Sequence, residues 1–170
     1  MEGVERYKVR LLPHNPKWEQ EFLTVREEIK EHWAKNLLDI QHVGSTAIKS
    51  ICAKPILDVA VRLKSIEQID IKALTDLGYE YCGARNESKT YHLFVLRGDN
   101  QLSLRHIHCY DKSEREFDLL VGFRNYLNEH LEVALKYQEI KMRIAEQMPD
   151  DRASYTKAKE EFIKSICDKL

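Results

Sequence analysis

The sequence predicts an α+β fold in which a mixed β-sheet of about five strands is followed by a helical C-terminal third. Two observations lead to this prediction. Within residues 1–111, short apolar or alternating runs are separated by Gly, Pro and Asn turn residues, which is typical of strands. Beyond Ser113, apolar residues recur every three or four positions, which is typical of amphipathic helices. We therefore expect a sheet-bearing core over residues 1–111 and a helical part over residues 112–170.

Length and charge limit the classes of protein that the chain can represent. A chain of 170 residues has the usual length of one domain, so we expect residues 1–170 to form a single domain. Its 27 Lys and Arg residues balance 28 Asp and Glu residues, whereas proteins that bind long nucleic acids are normally strongly basic. No apolar run approaches the roughly 20 residues of a membrane span, and residues 1–12 are too charged for a signal peptide. The four cysteines form no CxxC pair. We therefore expect a cytoplasmic protein with neither a membrane segment nor a long nucleic-acid partner.

The first third of the chain predicts strands that alternate with a helix. A short strand over Tyr7–Leu12 ends at Pro13, and Asn15 then caps a helix. Leu37–Val43 is a compact strand that a Gly-Ser-Thr turn terminates. The helix between them has one apolar stripe, formed by Trp18, Phe22, Val25, Ile29 and Trp33. The strand after the turn, Pro55–Leu63, alternates between an apolar face of Leu57, Val59, Val61 and Leu63 and a second face of Ile56, Asp58, Ala60 and Arg62.

The remaining elements follow from the same rules. Ser65 is expected to cap a helix that Gly78 closes. Three more strands are predicted over Tyr79–Cys82, Thr90–Arg97 and Gln101–Tyr110, with a hairpin turn at Gly98-Asp99-Asn100. The helical part contains one segment around Phe117–Leu127, another over Leu131–Met148, a break at Pro149-Asp150-Asp151 and a last helix through Ile166.

The segment His42–Leu63 contains the residues that point to chemistry. A strand that ends in Gly44-Ser45 and enters a short helix exposes backbone N–H groups that can hold phosphate, although a plain loop fits the same residues. Asp58 lies in an apolar strand, where a carboxylate must be paired or hold a cation. Lys54 could neutralise an anionic ligand; the simpler alternative is that Lys54 or Arg62 forms a salt bridge with Asp58.

The motifs of this segment resemble the nucleotidyltransferase-fold superfamily. The longer string VGSTA…AKPILDV, together with LLPHNPKW, RHIHCY and FRNYL, resembles the GrpB family within it, and the resemblance covers nearly the whole chain. It implies a mixed sheet with helices on one face and a cleft on the other. In active members of the superfamily, the Gly-Ser turn holds a triphosphate and aspartates hold Mg²⁺ for attack on the α-phosphate. By this resemblance Gly44 and Ser45 match the phosphate turn, and Asp58 matches the first metal carboxylate and catalytic residue.

One residue departs from the superfamily pattern. The second carboxylate would lie two positions after Asp58, on the same face of the strand, and that position is Ala60. A single Asp is a poor ligand set for Mg²⁺, because metal-dependent phosphoryl transfer uses several oxygen ligands. Ala60 therefore favours an alternative in which the chain is a non-catalytic ligand-binding or partner domain that keeps the fold.

Two histidines offer a substitute for the missing carboxylate. His106 and His108 share one face of their strand, and with Asp58 they could form a two-His, one-carboxylate site suited to Mn²⁺, Fe²⁺ or Zn²⁺. Such a site would also suit a metal-dependent hydrolase. Alternatively the two imidazoles bind an anion together with Arg105 and Lys54, or they are ordinary interior residues, since Leu102 and Leu104 lie on the same face.

The leading hypothesis is therefore a GrpB-type protein that binds a nucleotide or another phosphorylated small molecule, with metal-dependent nucleotidyl or phosphoryl transfer as its reaction if it is an enzyme. The resemblance implies Mg²⁺ or Mn²⁺ as the metal, with Zn²⁺ or Fe²⁺ as less favoured alternatives. Arg124 is a further candidate for binding phosphate from the helical part, His42 could enter the same cleft, and Lys159 could close over it. The apolar stripes of the C-terminal helices fit either a core or the interface of a homo-oligomer.

Overall fold

The computed structural model describes residues 1–5, 10–147 and 152–169. Within these residues, five strands form one sheet: β1 (Leu37–Val43), β2 (Leu57–Leu63), β3 (Tyr79–Ala84), β4 (Tyr91–Arg97) and β5 (Ser103–Asp111). The same ranges contain five α-helices: α1 (Lys17–Trp33), α2 (Ile71–Thr75), α3 (Glu116–Glu129), α4 (Leu131–Gln147) and α5 (Arg152–Cys167). The α+β fold that the sequence predicts is confirmed, including its helical C-terminal part.

The sheet is mixed, with the strand order β1-β2-β5-β4-β3. β2 and β5 are parallel neighbours at its centre, whereas the other three pairs of strands are antiparallel. The parallel pairing places Asp58 opposite His106 and Ala60 opposite His108. Residues that lie almost 50 positions apart in the sequence therefore share one row of the sheet.

The helices α1 and α2 cover one face of the sheet. Val25, Ile29 and Trp33 of α1 pack against the apolar row of β2 and against Ile107 and Cys109 of β5. This arrangement follows from the sequence, because the apolar stripe of α1 and the alternation of β2 each leave one face that must be removed from water.

The C-terminal helices stand on the opposite side of the sheet. Phe117 of α3 packs with Val43, Ala60 and Tyr110, which belong to the second face of the sheet. A separate apolar cluster joins α3, α4 and α5 to the segment after β1, and its buried members are Ile48, Ile51, Phe123, Leu127, Ala134, Tyr137 and Ile166. The second face is therefore only partly covered, and a cleft remains beside α3.

Three predicted elements differ from the structure or lie partly outside the described residues. The strand predicted over Tyr7–Leu12 lies partly outside the described residues, and Leu12 pairs with Ala53 in an isolated bridge. The break predicted at Pro149-Asp150-Asp151 involves residues 148–151, which lie outside the described ranges. The segment after Ser65, expected to be one helix, forms a short 3₁₀ turn over Ile66–Gln68, and Ser65 makes no side-chain cap. Helix α2 begins at Ile71, and its N-cap residue Asp70 accepts a hydrogen bond from the backbone of Ala73 at 3.2 Å.

The helices of the described ranges do not meet the requirements of a membrane span. None of these helices is both long enough and apolar enough to cross a bilayer.

Candidate functional site

A cavity of about 300 Å³ lies where the second face of the sheet meets the C-terminal helices. Its floor is formed by the Gly44-Ser45 turn and by side chains of β2 and β5. Helices α3, α4 and α5 form its opposite wall. The lining residues that matter for chemistry are Gly44, Ser45, Lys54, Asp58, Tyr91, His106, His108, Glu116, Tyr137 and Lys159.

Asp58, His106 and His108 meet at the floor of this cavity. His106 Nδ1 lies 3.1 Å and His108 Nε2 lies 3.4 Å from the same carboxylate oxygen, Asp58 Oδ1. Each residue offers one atom that could bind a metal ion, and these three atoms lie within 4.8 Å of one another. The sheet register explains the convergence, because all three side chains point to the second face of two adjacent strands.

Hydrogen bonds from the two imidazoles keep the carboxylate of Asp58 ionised. Burial alone would raise the pKa of Asp58, but hydrogen bonds from His106 and His108 outweigh it and hold the pKa of Asp58 far below its usual value. An ionised carboxylate can only accept, so both imidazoles donate to it. The other nitrogen of His108, Nδ1, lies 2.8 Å from the Tyr91 hydroxyl, which can donate to a neutral imidazole or accept from a protonated one.

Gly44 is the residue that lets the turn approach the carboxylate. Its backbone has φ 70° and ψ −172°, a conformation that residues with side chains rarely adopt. A Cβ atom at this position would lie 2.5 Å from Asp58 Oδ2. Ser45 begins the short 3₁₀ turn Ser45–Ala47, and its side chain acts on the buried Tyr137: burial raises the pKa of Tyr137, and Ser45 opposes this larger effect. The turn is thus held against the carboxylate on one side and α4 on the other.

Charged residues stand around the mouth of the cavity. Lys54 precedes β2, and Lys159 reaches the same cavity from α5. Glu116, at the start of α3, also lines it; partial burial and the neighbouring Glu114 raise the pKa of Glu116, while His108 opposes the rise. Apolar wall residues complete the lining, among them Leu120, Phe123 and Ile163.

Arg105 is not part of the cavity. It lies one position before His106, so the strand alternation directs it to the face covered by α1. There Nε lies 3.0 Å from Glu21, Nη1 lies 3.5 Å from Glu28, and Nη1 also donates to the Tyr79 hydroxyl. The expectation that Arg105 stands beside Asp58 and neutralises an anion there is therefore corrected.

Arg124 and His42 also lie elsewhere. Arg124 Nη1 donates to the backbone oxygen of His42 at 2.8 Å and to Gln41 Oε1 at 3.0 Å, behind the Gly44-Ser45 turn. His42 is buried and bonds to Thr46 Oγ1 at 3.0 Å. Both residues line a second cleft, and neither lines the cavity of Asp58.

Neither Lys54 nor Arg62 is the principal partner of Asp58. The hydrogen bonds that hold the carboxylate come from the two imidazoles, while Arg62 lies 2.6 Å from Asp118 and over the ring of Phe117. Ala60 is fully buried between the sheet and α3. Ala60, at the position that corresponds to the second carboxylate of the superfamily pattern, is therefore part of the core.

Three lining residues have no distinctive signal in the sequence. Tyr91, Glu116 and Tyr137 come from β4, α3 and α4, and each looks like an ordinary packing or surface residue. Strand alternation places Tyr91 on one of two faces, but the sequence of β4 does not identify its neighbour in the sheet. Glu116 has one signal, an acidic residue in the first turn of a helix, which is common in helices that have no function there.

The donor set of the Asp58 site limits the metal that it suits. One carboxylate and two imidazoles are borderline ligands that fit Mn²⁺, Fe²⁺ or Zn²⁺, whereas Mg²⁺ prefers oxygen atoms. His108 also has the outer partner that metal-binding histidines usually have, since Tyr91 holds its second nitrogen. The residues therefore fit a divalent metal, and they fit Mn²⁺ better than Mg²⁺.

Comparison with known proteins gives consistent matches over the whole chain. The family profile described as GrpB protein matches residues 8–169. The glutamate-rich protein GrpB of Alkalihalophilus pseudofirmus is 32% identical over 175 residues, covering 100% of both chains. The UPF0157 protein YqkA of Bacillus subtilis is 29% identical over 165 residues, which are 93% of this chain and 46% of that protein.

Solved structures agree with the sequence matches. The crystal structure of the conserved protein GrpB from Enterococcus faecalis superposes with a TM-score of 0.83 at 28% identity and covers 94% of this chain and 98% of that one. The Cid1 poly(U) polymerase, solved with MgGTP bound, superposes with a TM-score of 0.53 at 11% identity over 81% of this chain and 44% of that one. The latter likeness concerns the fold alone and shows that the architecture is nucleotidyltransferase-like. The chain therefore belongs to the GrpB family.

Proposed function

We propose that the cavity binds a nucleotide or another phosphorylated small molecule through a divalent cation held by Asp58, His106 and His108, and that it supports nucleotidyl or phosphoryl transfer. The observation on which the proposal depends is the convergence of these three side chains beside the Gly44-Ser45 turn. A cation held there would neutralise phosphate oxygens and make the phosphorus centre more electrophilic.

The residues around the site suit the phosphate group and the apolar body of such a ligand. Backbone N–H groups at the start of the 3₁₀ turn, where Gly44 and Ser45 line the cavity, suit phosphate oxygens. Lys54 and Lys159 add positive charge at the mouth of the cavity. The wall of Leu120, Phe123 and Ile163 suits the apolar body of a small ligand. A volume of about 300 Å³ fits a small molecule and excludes a folded partner.

His108 can change its tautomer when a cation binds. When His108 is neutral and its Nε2 donates to Asp58, its Nδ1 accepts from the Tyr91 hydroxyl. A metal ligand must present a lone pair, so a cation bound to Nε2 would require the ring proton to be on Nδ1, and the Tyr91 hydroxyl would then accept from Nδ1. The Tyr91 hydroxyl serves either arrangement, because a hydroxyl can both donate and accept.

A second candidate function is ligand binding without catalysis. Ala60 supports it, because the residue that replaces the second carboxylate is buried in the core and leaves one aspartate at the floor. In that case the cavity holds a phosphorylated ligand mainly through the turn and the lysines. The four free thiols of the chain are consistent with a cytoplasmic protein of either kind.

Metal binding should be measured first, with Mn²⁺ as the probe and electron paramagnetic resonance of the free ion as the signal. We expect the wild-type protein to bind Mn²⁺, with Zn²⁺ in competition. Asp58→Asn and His108→Asn should abolish the binding. Tyr91→Phe should weaken it about 10–100-fold, as is usual for loss of an outer partner. Asp99→Asn and His32→Asn are matched controls, because both residues are exposed and distant from the cavity.

Calorimetry with nucleoside triphosphates, with and without Mn²⁺, then separates the two functions. Binding that needs Mn²⁺ and is lost in Asp58→Asn supports metal-dependent transfer, and product analysis would identify transfer or hydrolysis. Binding that is unchanged by Asp58→Asn supports the non-catalytic function. If no triphosphate binds under either condition, the nucleotide is excluded as the ligand, and if inorganic phosphate and pyrophosphate also fail to bind, the proposal is wrong.

A further inference from the structure

A second cleft lies behind the Gly44-Ser45 turn, on the far side of β1 from the Asp58 cavity. It has a volume of about 300 Å³ and is bounded by α1, the end of β1, the 3₁₀ turn and α3. It shares no lining residue with the first cavity. Any ligand of this cleft would therefore occupy a separate site.

The lining of the second cleft is positively charged. Glu27, which is outside the lining, pairs with Arg26 Nε at 3.2 Å. The lining itself contains Arg26, Lys49 and Arg124 against a single carboxylate, that of Glu19. Their charges give an excess of two positive charges, although the whole chain has a net charge of −1. A concave surface of one sign concentrates ions of the opposite sign.

Arg124 is held in place by neutral acceptors. Its Nη1 donates to Gln41 and to the backbone of His42, and its Nε donates to Asn125 at 3.0 Å. Within the described part of the chain, Arg124 makes no ion pair, and no hydrogen bond from Nη2 is present. A guanidinium has five N–H donors in a rigid fork, so its remaining donors suit a carboxylate or phosphate group.

The histidines of the cleft add neutral polar groups. Burial lowers the pKa of His42 to about 4, so this imidazole is neutral near pH 7. His14 has a buried Nδ1 atom for which the described residues provide no hydrogen-bond partner. The pKa of His14 is lowered as well, first by burial and then by Lys49. The fixed positive charge of the cleft therefore comes from its two arginines and one lysine.

We propose that this cleft is a binding site for the phosphate or carboxylate group of a second small molecule, with Arg124 as its central ligand and Arg26 and Lys49 at its edge. The guanidinium of Arg124 is half-buried and is oriented by neutral acceptors, and the Asp39 carboxylate attracts it without forming an ion pair within the described residues. A bound anion would therefore supply the charged hydrogen-bond partner that this guanidinium suits. The proposal does not depend on the function of the Asp58 cavity.

The test is an NMR titration of the full chain with inorganic phosphate and, separately, with malonate, in the presence of a chelator. We expect shifts of the backbone amides of Gln41, Thr46, Lys49 and Asn128, which surround the cleft. Tighter binding of phosphate identifies a phosphoryl ligand, and tighter binding of malonate identifies a carboxylate ligand. If neither anion shifts these amides, or if the shifts are confined to residues of the Asp58 cavity, the proposal is wrong.

Substitutions distinguish a site from general charge attraction. Arg124→Gln should weaken binding at least about tenfold, since a charge-assisted hydrogen-bonding group is lost. Because Arg124 also holds the turn, the double variant Arg26→Gln/Lys49→Gln provides a second test that leaves those hydrogen bonds in place. Its control is Lys112→Gln/Arg115→Gln, which removes the same charge from an exposed loop. Equal weakening in both double variants would contradict the proposal.

Discussion

Gly44 lies directly against Asp58, and the absence of a side chain at Gly44 makes this approach possible. The glycine supplies a backbone conformation with φ 70°, and its missing Cβ leaves room for Asp58 Oδ2. The aspartate in turn is ionised because two histidines donate to it. At the scale of single residues, the turn and the carboxylate therefore depend on each other, although Gly44 lies 13 positions before Leu57, the first residue of β2.

Gly44→Ala should destabilise the protein and weaken the site at the same time. The left-handed backbone costs an L-residue about 1–2 kcal/mol, and the clash with Asp58 adds a similar amount, so the free energy of unfolding should fall by about 3 kcal/mol. Urea denaturation and Mn²⁺ binding measure the two effects. Gly83→Ala is the matched control, because Gly83 has φ 76° but no atom within 4 Å of a Cβ atom placed there. Equal losses of stability in the two variants would show that the contact with Asp58 is unimportant.

His42 should make stability depend on pH between about 4 and 6.5. Burial lowers its pKa from 6.5 to about 4 in the folded protein, so the unfolded chain binds more protons in this window. Stability should therefore rise with pH through the window, and the contribution of His42, about 3 kcal/mol, should be complete above pH 6.5. Denaturation at a series of pH values would measure it.

The quantity to compare is the slope of the free energy of unfolding against pH. The pH-independent destabilisation that a substitution causes does not change this slope. The slope of unfolding free energy against pH should be smaller in His42→Gln than in the wild-type protein. It should be unchanged in His32→Gln, since His32 is exposed on α1. A wild-type slope in His42→Gln would mean that this imidazole is protonated as readily in the folded protein as in the unfolded chain.

At the scale of elements, the parallel pair β2 and β5 creates the site. Alternation within β2 predicts from the sequence that Asp58 lies opposite the apolar row, and alternation within β5 predicts that His106 and His108 share a face. The sequence does not reveal that these two strands are neighbours, because a parallel pairing depends on packing of the whole sheet. From the sequence alone, the convergence of the three side chains is therefore one hypothesis among several.

Arg105 and Arg124 show where sequence reasoning about elements fails. The alternation that joins His106 and His108 separates Arg105 from them, and this alternation is a stronger guide than the closeness of a basic residue to a motif. Arg124 is a candidate ligand-binding residue on α3, but helical periodicity does not indicate which side of the Gly44-Ser45 turn the helix approaches. Only the packing of α3 beside β1 places Arg124 in the second cleft.

At the scale of the whole molecule, the sheet and the C-terminal helices share both a core and hydrogen bonds. The loop after β1 supplies Ile48 and Ile51 to the helical cluster. The buried Lys141 of α4 donates to the backbone oxygen of Cys52 at 2.6 Å. Asn128 of α3 accepts from the backbone of Lys49 and donates to the backbone oxygen of Ala47, both at 3.0 Å. These contacts support the proposal that residues 1–170 act as one domain.

Unfolding should accordingly occur in one transition for both parts. Both tryptophans lie in α1, so fluorescence reports on the sheet side, while far-ultraviolet circular dichroism is dominated by the helices. We expect the two signals to coincide in urea.

Leu127→Ala, in the helical cluster, should lower both midpoints equally, because it should reduce the free energy of unfolding by about 2–5 kcal/mol. Leu131→Ala is the control, because this residue is 55% exposed and should cost less than about 0.5 kcal/mol. Separate transitions would contradict a single domain.

The parallel pairing of β2 and β5 also has a consequence for synthesis on the ribosome. Asp58 and His106 are 48 positions apart, and the hydrogen bonds from Arg124 and Asn128 to the turn span 82 and 81 positions. Translation at about 5–20 residues per second therefore leaves Asp58 without its histidines for about 2–10 s, and without the helical wall for longer. During this interval β2 can pair with β1, but its other edge, which later pairs with β5, is open, and the carboxylate of Asp58 lacks its histidine partners. Protection of that strand by chaperones, and the pace of translation between codons 58 and 128, should therefore influence how much of the protein reaches the folded state.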